Sequence, residues 1–275
     1  MFSHSEPLRI TDLLNQKLTF SYEVTPDLKP ELLDDVTEEP LFYSVTWHAR
    51  MHGCSSLDIA PLNLAKILRK KGKQVLLHIA CDHLKKGYLD NMLQMLQENG
   101  ICNLFTLLGE AYDERESDFK CTSELIQYIR ENWGTYFCIV VAGFPTDPDE
   151  KLIKLKDKLK SGANLIITQA IFEVEKFKSF MDRCKKQDIK VPIIAGILFV
   201  DNYDDLVCFT QCDKIVLPQD TLTRVKNNPG PESKAVLKKV IKDIQSLDLN
   251  ILDIHIFSMN KLKSVSALIK EINES

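Results

Sequence analysis

Glu23 sits near the end of a strand-like run, "LTFSYEVTPD" at residues 18–27, whose apolar and aromatic content comes from Leu18, Phe20, Tyr22 and Val24. A carboxylate there costs free energy unless a partner pairs with it or a reaction uses it. Polar side chains recur at the same end of other apolar runs: Thr46 and His48, His78 and Cys81, Glu110, Asp147 beyond Phe144, Thr168 and Gln169, Ser258 and Asn260. These residue types suit proton transfer and hydrogen bonding, and their recurrence at one end of many strands is the signature of a site. A metal or disulfide framework is not indicated. The eight cysteines (Cys54, Cys81, Cys102, Cys121, Cys138, Cys184, Cys208 and Cys212) form no C-x-x-C pair, and none has a histidine pair at zinc-finger spacing. They read as reduced structural thiols, with Cys102 and Cys138 in apolar surroundings.

The elements that must position this site are short apolar runs alternating with longer amphipathic ones. Strands are expected at 18–25, 42–47, 73–81, 103–109, 138–144, 165–169, 191–199 and 254–259, with a further run at 214–218. "LDNMLQMLQENG" (89–100) sets Leu89, Met92, Leu93 and Leu96 on one helical face and stops at Gly100. "EKLIKLKDKLKSG" (150–162) does the same with Leu152, Leu155 and Leu159. Strand then helix, about eight times, means parallel strands joined by crossovers. The strands read as almost continuously apolar, as in sheets covered on both sides. An open doubly wound sheet would share that pattern, but G-x-G-x-x-G and G-x-x-x-x-G-K-[ST] are both missing. The expectation is an α/β fold, a (β/α)8 TIM barrel, forming one domain over residues 1–275. The stretch 220–236, "DTLTRVKNNPGPESKAV", reads as a loop excursion in the last βα region.

The chain has 275 residues, 44% of them hydrophobic, with 35 basic and 39 acidic residues and a net charge of −4. That balance argues against nucleic acid or an anionic membrane as the main partner. There is no apolar run of transmembrane length, and the N-terminus lacks the order of a secretory signal, so a cytoplasmic protein is expected.

Taken in order, these segments resemble the catalytic barrel of the methylenetetrahydrofolate reductase family. "FSYEVTPDL" looks like the family's F-E-F-F-P-P segment, "YSVTWHA" its S-V-T segment and "LHIACDH" its H-L-T-C. "ENGICNLFTLLGE" is similar to G-I-x-N-x-x-x-L-R-G-D, and "VAGFP" to A-x-Y-P. "LKSGANLIITQAIFEVEKF" matches D-A-G-A-x-x-I-T-Q-x-F-F, the most specific segment. "VPIIAGILFVDNY" resembles P-I-x-P-G-I-x-P, and "IHIFSMNK" resembles F-Y-T-L-N-R. Eight collinear motifs spread over nearly the whole chain carry the resemblance.

The resemblance implies a barrel that binds FAD at the strand C-termini. It also implies reduction of 5,10-methylenetetrahydrofolate to 5-methyltetrahydrofolate with NADH or NADPH, feeding methionine synthesis. Glu23 takes the family's general-acid position, and a carboxyl held among Phe20, Tyr22 and Val24 is expected to have a raised pKa. Gln169 matches the glutamine that contacts folate, and Phe209 a phenylalanine that stacks near the substrate. Lys261 stands where the family has a substrate-side arginine. Thr46, His78, Leu108, Gly109, Phe144 and Lys158 match positions around the flavin, and Glu110 matches an aspartate that touches both flavin and pterin. The implied partners are folate and NAD(P)H, with a homo-oligomer possible, and no C-terminal regulatory domain is expected after the last barrel helix.

Four departures stand out. Leu108 replaces the arginine of the Arg-Gly-Asp stretch, and Glu110 replaces its aspartate. "FPTDPDEKL" lacks the family's histidine and shortens the loop after Phe144. Phe199 replaces a proline. The FAD side is therefore altered while the folate side, Glu23 and Gln169, persists. Two readings follow: a working reductase with a changed grip on FAD, or a noncatalytic descendant that keeps the barrel and folate binding without FAD. A third is another flavin or folate barrel enzyme with a changed substrate.

Overall fold

The computed structural model describes residues 7–14, 17–52, 54–109, 112–199, 202–212, 219–247 and 251–274. Eight parallel strands close into a barrel in sequence order: β1 (Thr19–Val24), β2 (Tyr43–Val45), β3 (Val75–Ala80), β4 (Asn103–Leu107), β5 (Cys138–Gly143), β6 (Leu165–Thr168), β7 (Ile193–Leu198) and β8 (Asp253–Phe257). Every expected strand forms, except that 214–218 lies outside the described residues. The principal crossover helices are α3 (Ala60–Lys70), α4 (Lys86–Glu98), α5 (Thr122–Trp133), α6 (Asp149–Lys160), α7 (Val174–Lys186) and α8 (Tyr203–Cys212). They continue with α9 (Gln219–Asn227), α10 (Pro229–Gln245) and the closing α11 (Leu262–Asn273). Short helices α1 (Ile10–Leu13) and α2 (Ala49–His52) lie at opposite ends of the barrel.

The period-2 alternation of the strands sorts the core into two layers. Outward residues such as Tyr22, Leu77, Ile79, Leu104, Val141, Ile254 and Ile256 pack with Leu62, Leu68, Met92, Leu125, Phe177, Phe180 and Leu268 from the helices. Each such buried side chain contributes roughly 1.5–3 kcal/mol relative to exposure. Inward residues Phe42, Leu76, Phe105, Cys138, Val140, Leu165, Ile167 and Ile194 form a second cluster, plugged from below by Ile10 of α1. Asn103 fastens that plug, accepting from the Ile10 amide at 2.8 Å and donating to the Leu8 carbonyl at 3.1 Å.

One expectation is overturned. The 220–236 stretch does lie between β7 and β8, but it is helical, split into α9 and α10 at Asn228. Pro229 and Pro231 fall in the first turn of α10, where backbone N–H groups have no intrahelical partner, so they start a helix rather than prevent one. Leu237, Val240, Ile241 and Ile244 then bury one face of α10.

Gly196 of β7 fixes the width of the barrel beside β8. A Cβ there would meet the Thr168 carbonyl oxygen at 2.2 Å and the Phe257 ring at 2.9 Å. Gly196→Ala is expected to destabilise the protein by about 3 kcal/mol, because β6 and the Phe257 ring must both retreat. Urea denaturation checks it; an unchanged midpoint would contradict this packing.

Candidate active site

The two chain ends build the centre of the site. β1 pairs with β8 with Thr19 opposite Asp253, Ser21 opposite His255 and Glu23 opposite Phe257. Beyond the strands the pairing is reinforced by side chains. The Ser258 hydroxyl donates to the Glu23 carbonyl. Asn260, in the left-handed region at φ 58°, accepts from the Thr25 amide at 2.9 Å and donates to the Thr25 hydroxyl at 2.6 Å. Asparagine tolerates that backbone better than most residues. Glu23 is thus held by its main chain at the C-terminal mouth of the barrel.

The surroundings of the Glu23 carboxyl differ from the sequence expectation. Phe20, Tyr22 and Val24 alternate to the outer layer and pack under the helices, so they do not line it. Its neighbours are imidazoles. Glu23 Oε2 lies 3.6 Å from His78 Nε2 and 4.0 Å from His255 Nε2, and the side chain is only 16% exposed. His78 is engaged at 2.8 Å with the Ser44 hydroxyl and edge-on to Phe105. His255 Nδ1 lies 2.8 Å from the Ser21 hydroxyl, its ring stacked on Phe42. Burial pushes the His78 pKa down to about 3, with His255 and His48 adding to the effect, and burial alone takes His255 to about 3. Both rings are therefore neutral, and their contacts with Glu23 are not ion pairs.

Below them lies a carboxyl the sequence reading passed over. Asp253 is fully buried, receiving hydrogen bonds from Ser21 at 2.6 Å and Thr19 at 2.7 Å. Burial outweighs these hydroxyls and raises its pKa to about 7. Thr19, Ser21 and Glu23 on β1, with Asp253 and His255 on β8, alternate strictly with apolar residues. That alternation was the available signal, hidden by reading the strands as continuously apolar.

Around the mouth, Thr46 is buried and its hydroxyl has no hydrogen-bond partner among the described residues. Leu108 and Phe144 are 41% and 39% exposed, and Met51 of α2 is more so. Gly109 is required by contact: at φ +105°, its Cβ would sit 2.6 Å from that of buried Asp82. Asp82 in turn pairs with Arg50 of α2 at 3.2 Å, which places a guanidinium beside the loop where Leu108 brings none. The short loop after Phe144 is held by α7, whose Arg183 donates to the Pro145 and Asp147 carbonyls at 2.8 and 2.6 Å. Gln169 is half-buried just after β6, its amide donating to the Gly143 carbonyl.

Lys261, at the N-terminus of α11, pairs with Asp205 of α8 at 2.5 Å, and this contact lowers the Asp205 pKa. Lys158 lies in the last turn of α6; burial lowers its pKa against the pull of Cys81 and Cys121. Glu110 lies outside the described residues. Phe209 falls on α8, with its side chain outside them too. The structure thus brings Glu23, Thr46 and His78 together on adjacent strands. Ser21, Ser44, Arg50, Asp82, Asp253 and His255 are the members that sequence reasoning missed.

The family model described as methylenetetrahydrofolate reductase matches residues 9–273. The chain belongs to the methylenetetrahydrofolate reductase family. Its sequence is 27% identical over 294 residues to methylenetetrahydrofolate reductase 1 of Schizosaccharomyces pombe, covering 96% of this chain and 48% of that protein. It is 26% identical to a 5,10-methylenetetrahydrofolate reductase of Pectobacterium carotovorum subsp. carotovorum, covering 90% and 88%. The chain therefore spans about half the length of the fungal and plant reductases it matches. Among solved structures it resembles oxaloacetate acetylhydrolase (TM-score 0.55, 12% identity, 98% and 85% of the two chains) and 2,3-dimethylmalate lyase (0.54, 11%, 94% and 82%). At such identities the likeness is one of fold. Among the described residues no helix is long and apolar enough to cross a membrane, and no group of three metal-ligating side chains occurs.

The buried trio of this reductase-family barrel predicts its acid stability. Unfolding lets His78 and His255 protonate near 6.5 instead of about 3, and lets Asp253 ionise near 3.8 instead of about 7. From about pH 6.5 down to about pH 4 the unfolded chain gains two histidine protons and lacks one aspartate proton. These groups therefore make stability fall with acidification by about 1.4 kcal/mol per pH unit. Asp253→Asn removes the opposing contribution and should roughly double their share of the slope. Urea unfolding across that window measures it; equal slopes for the two proteins would contradict the assignment.

Proposed function

We propose that this chain reduces 5,10-methylenetetrahydrofolate to 5-methyltetrahydrofolate with NAD(P)H, through bound FAD, and that Glu23 is its acid. The observation that carries the reading is the placement of Glu23. It is a mostly buried carboxyl at the C-terminal mouth of the barrel, fixed by Ser258 through its main chain and faced by two neutral imidazoles. Barrel enzymes place their chemistry at that mouth.

The residues present fit FAD. Thr46 offers a buried hydroxyl with no hydrogen-bond partner among the described residues, and Leu108 and Phe144 offer exposed apolar faces for a planar ring. Arg50 supplies a cation near the Leu108–Gly109 turn for a phosphate, with Lys158 a second basic group. When bound, FAD supplies the redox relay between the nicotinamide and the one-carbon unit. The chain does the rest. Gln169 presents two amide donors and an acceptor suited to a pterin edge. Lys261 and the Phe209 segment of α8 border the substrate side. Glu23 holds a proton on its carboxyl and gives it to a ring nitrogen of the folate as the five-membered ring opens.

Glu23→Gln separates this reading from the noncatalytic one. With FAD-loaded protein in a rapid-mixing instrument, flavin reduction by NADH or NADPH should stay within about twofold of the parent. Reoxidation by 5,10-methylenetetrahydrofolate should slow by about 10²–10⁴-fold, the usual worth of a positioned acid. Reoxidation of the variant at the parent rate would remove Glu23 from the chemistry.

A further inference from the structure

His83 stands where a bulky side chain is rarely kept. It is the third residue of the Cys81–Leu84 turn, closed by the Leu84 amide donating to the Cys81 carbonyl at 3.0 Å, and its φ is 55°. Turns usually give such a left-handed position to glycine or asparagine. Here the imidazole lies between two carboxyl groups. Nδ1 is 2.9 Å from Glu116 Oε2, and Nε2 is 4.0 Å from Asp82 Oδ1. Asp82 is buried, and that oxygen has no hydrogen-bond partner among the described residues. Its other oxygen, Oδ2, pairs with Arg50 at 3.2 Å. Buried polar atoms in native structures are nearly always paired, so the bare oxygen requires a reason.

The hydrogen-bonding capacity of the ring supplies that reason. The Glu116 carboxylate can only accept, so an imidazole with a single ring proton carries it on Nδ1. Nε2 then turns a lone pair toward the lone pairs of Asp82 Oδ1, and neither atom has a proton to give the other. One more proton, taken from water onto Nε2, satisfies both. The imidazolium donates to Glu116 from Nδ1 and to Asp82 from Nε2, once side-chain rotation shortens the 4.0 Å separation by about 1 Å. The two states differ by one proton exchanged with solvent and by one positive charge.

We propose that His83 is a proton-gated clasp that fastens the β3–α4 turn to the β4–α5 loop, and so sets how firmly the Leu108–Gly109 turn is held for the flavin. The flavin part rests on the FAD reading given above. Asp82 supports that turn directly. Its amide donates to the Leu108 carbonyl at 3.1 Å, and a Cβ on Gly109 would meet the Asp82 Cβ at 2.6 Å. Glu116 lies further along the same loop. Beside it the Asp118 amide and the Ser117 hydroxyl donate to the Leu84 carbonyl at 2.9 and 3.4 Å, so the loop already rests against the turn that carries His83. With the second proton in place, the ring ties Asp82, under the start of the loop, to Glu116 in its middle. A loop ordered before binding has less freedom to lose when a cofactor arrives. FAD is therefore held more tightly as pH falls.

The other titratable groups around the clasp leave this proton as the variable. Arg50 of α2 is engaged at Asp82 Oδ2. The Cys54 thiol, just after α2, is pushed by burial and by Asp82 up to about 11 and stays neutral. In the β4–α5 loop Arg115 pairs with Asp113 at 2.6 Å, and at the start of α4 Lys85 pairs with Asp118 at 3.2 Å.

The test uses the full chain labelled with ¹⁵N-histidine, with His83 assigned by the signal lost in His83→Gln. In the parent the neutral ring should carry its proton on Nδ1, and acidification should add the second at Nε2. Asp82→Asn offers an amide N–H to the bare Nε2, so the pH at which Nε2 protonates should fall by about one unit, or about tenfold in proton affinity. Glu116→Gln, at a half-exposed site, should lower it as well. A neutral ring protonated on Nε2 overturns the proposal, and so does an unchanged protonation pH in either folded variant. FAD titrations followed by flavin fluorescence read the consequence. The parent should bind about fivefold more tightly at about pH 6 than at about pH 8, and His83→Gln should lose most of that difference. A pH dependence kept in full by His83→Gln overturns the control of the turn. Absence of FAD binding at every pH is instead a failure of the FAD reading, and the histidine spectra, recorded without FAD, decide the clasp on their own.

Discussion

Strands β1 and β8 pair although Ser21 and Asp253 are 232 residues apart in the chain. Closing a loop of that length costs conformational entropy that grows only slowly with length, but the contacts made there must offset it. The pairing here is unusually rich in side-chain bonds: Thr19 and Ser21 to Asp253, Ser21 to His255, Ser258 to the Glu23 carbonyl, and Asn260 to Thr25. The same contacts that close the barrel also set the position of its carboxyl. Stability and the placement of Glu23 therefore depend on one seam, and a change that loosens it moves Glu23 as well.

That seam divides the interior. On β8, β1, β2 and β3 the inward residues include Asp253, His255, Ser21, Glu23, Ser44, Thr46 and His78. On β4 to β7 they include Phe105, Cys138, Val140, Leu165, Ile167 and Ile194. Polar groups taken out of water cost free energy unless hydrogen-bonded, and the line from Thr19 to His255 is bonded at nearly every link. Among the described residues, the buried side-chain atoms without a hydrogen-bond partner include three toward the mouth, Thr46 Oγ1, Asp82 Oδ1 and His255 Nε2. A purely apolar interior would be simpler to stabilise. The polar half gives the mostly buried carboxyl of Glu23 a rigid setting faced by two neutral imidazoles.

The barrel could be read from the sequence because eight apolar runs alternated with amphipathic ones, and that pattern survives single substitutions. Glu23 could be read because a carboxylate at a strand end conflicts with its neighbours. Its true surroundings could not, because the residues adjacent in sequence face away and the histidines that meet it come from β3 and β8. Asp253 and His255 went unnoticed within a strand taken as uniformly apolar. The prolines at 229 and 231 pointed to a loop by composition, whereas their position in the first turn of α10 made them helix starters. Arg50 could not be foreseen, since only folding brings α2 beside Asp82 and Gly109.

The central claim is that this barrel, with Leu108 in place of an arginine and a shortened loop after Phe144, still holds a flavin at the mouth beside Glu23. The most direct measurement is the visible absorbance spectrum of the purified protein, alone and after incubation with FAD followed by desalting. A retained flavin band is the predicted result and makes the reduction of folate the next reaction to time. No retained flavin, even after incubation at high FAD, would contradict the account and leave Glu23 as a folate-binding carboxylate or a relic in a barrel without redox chemistry.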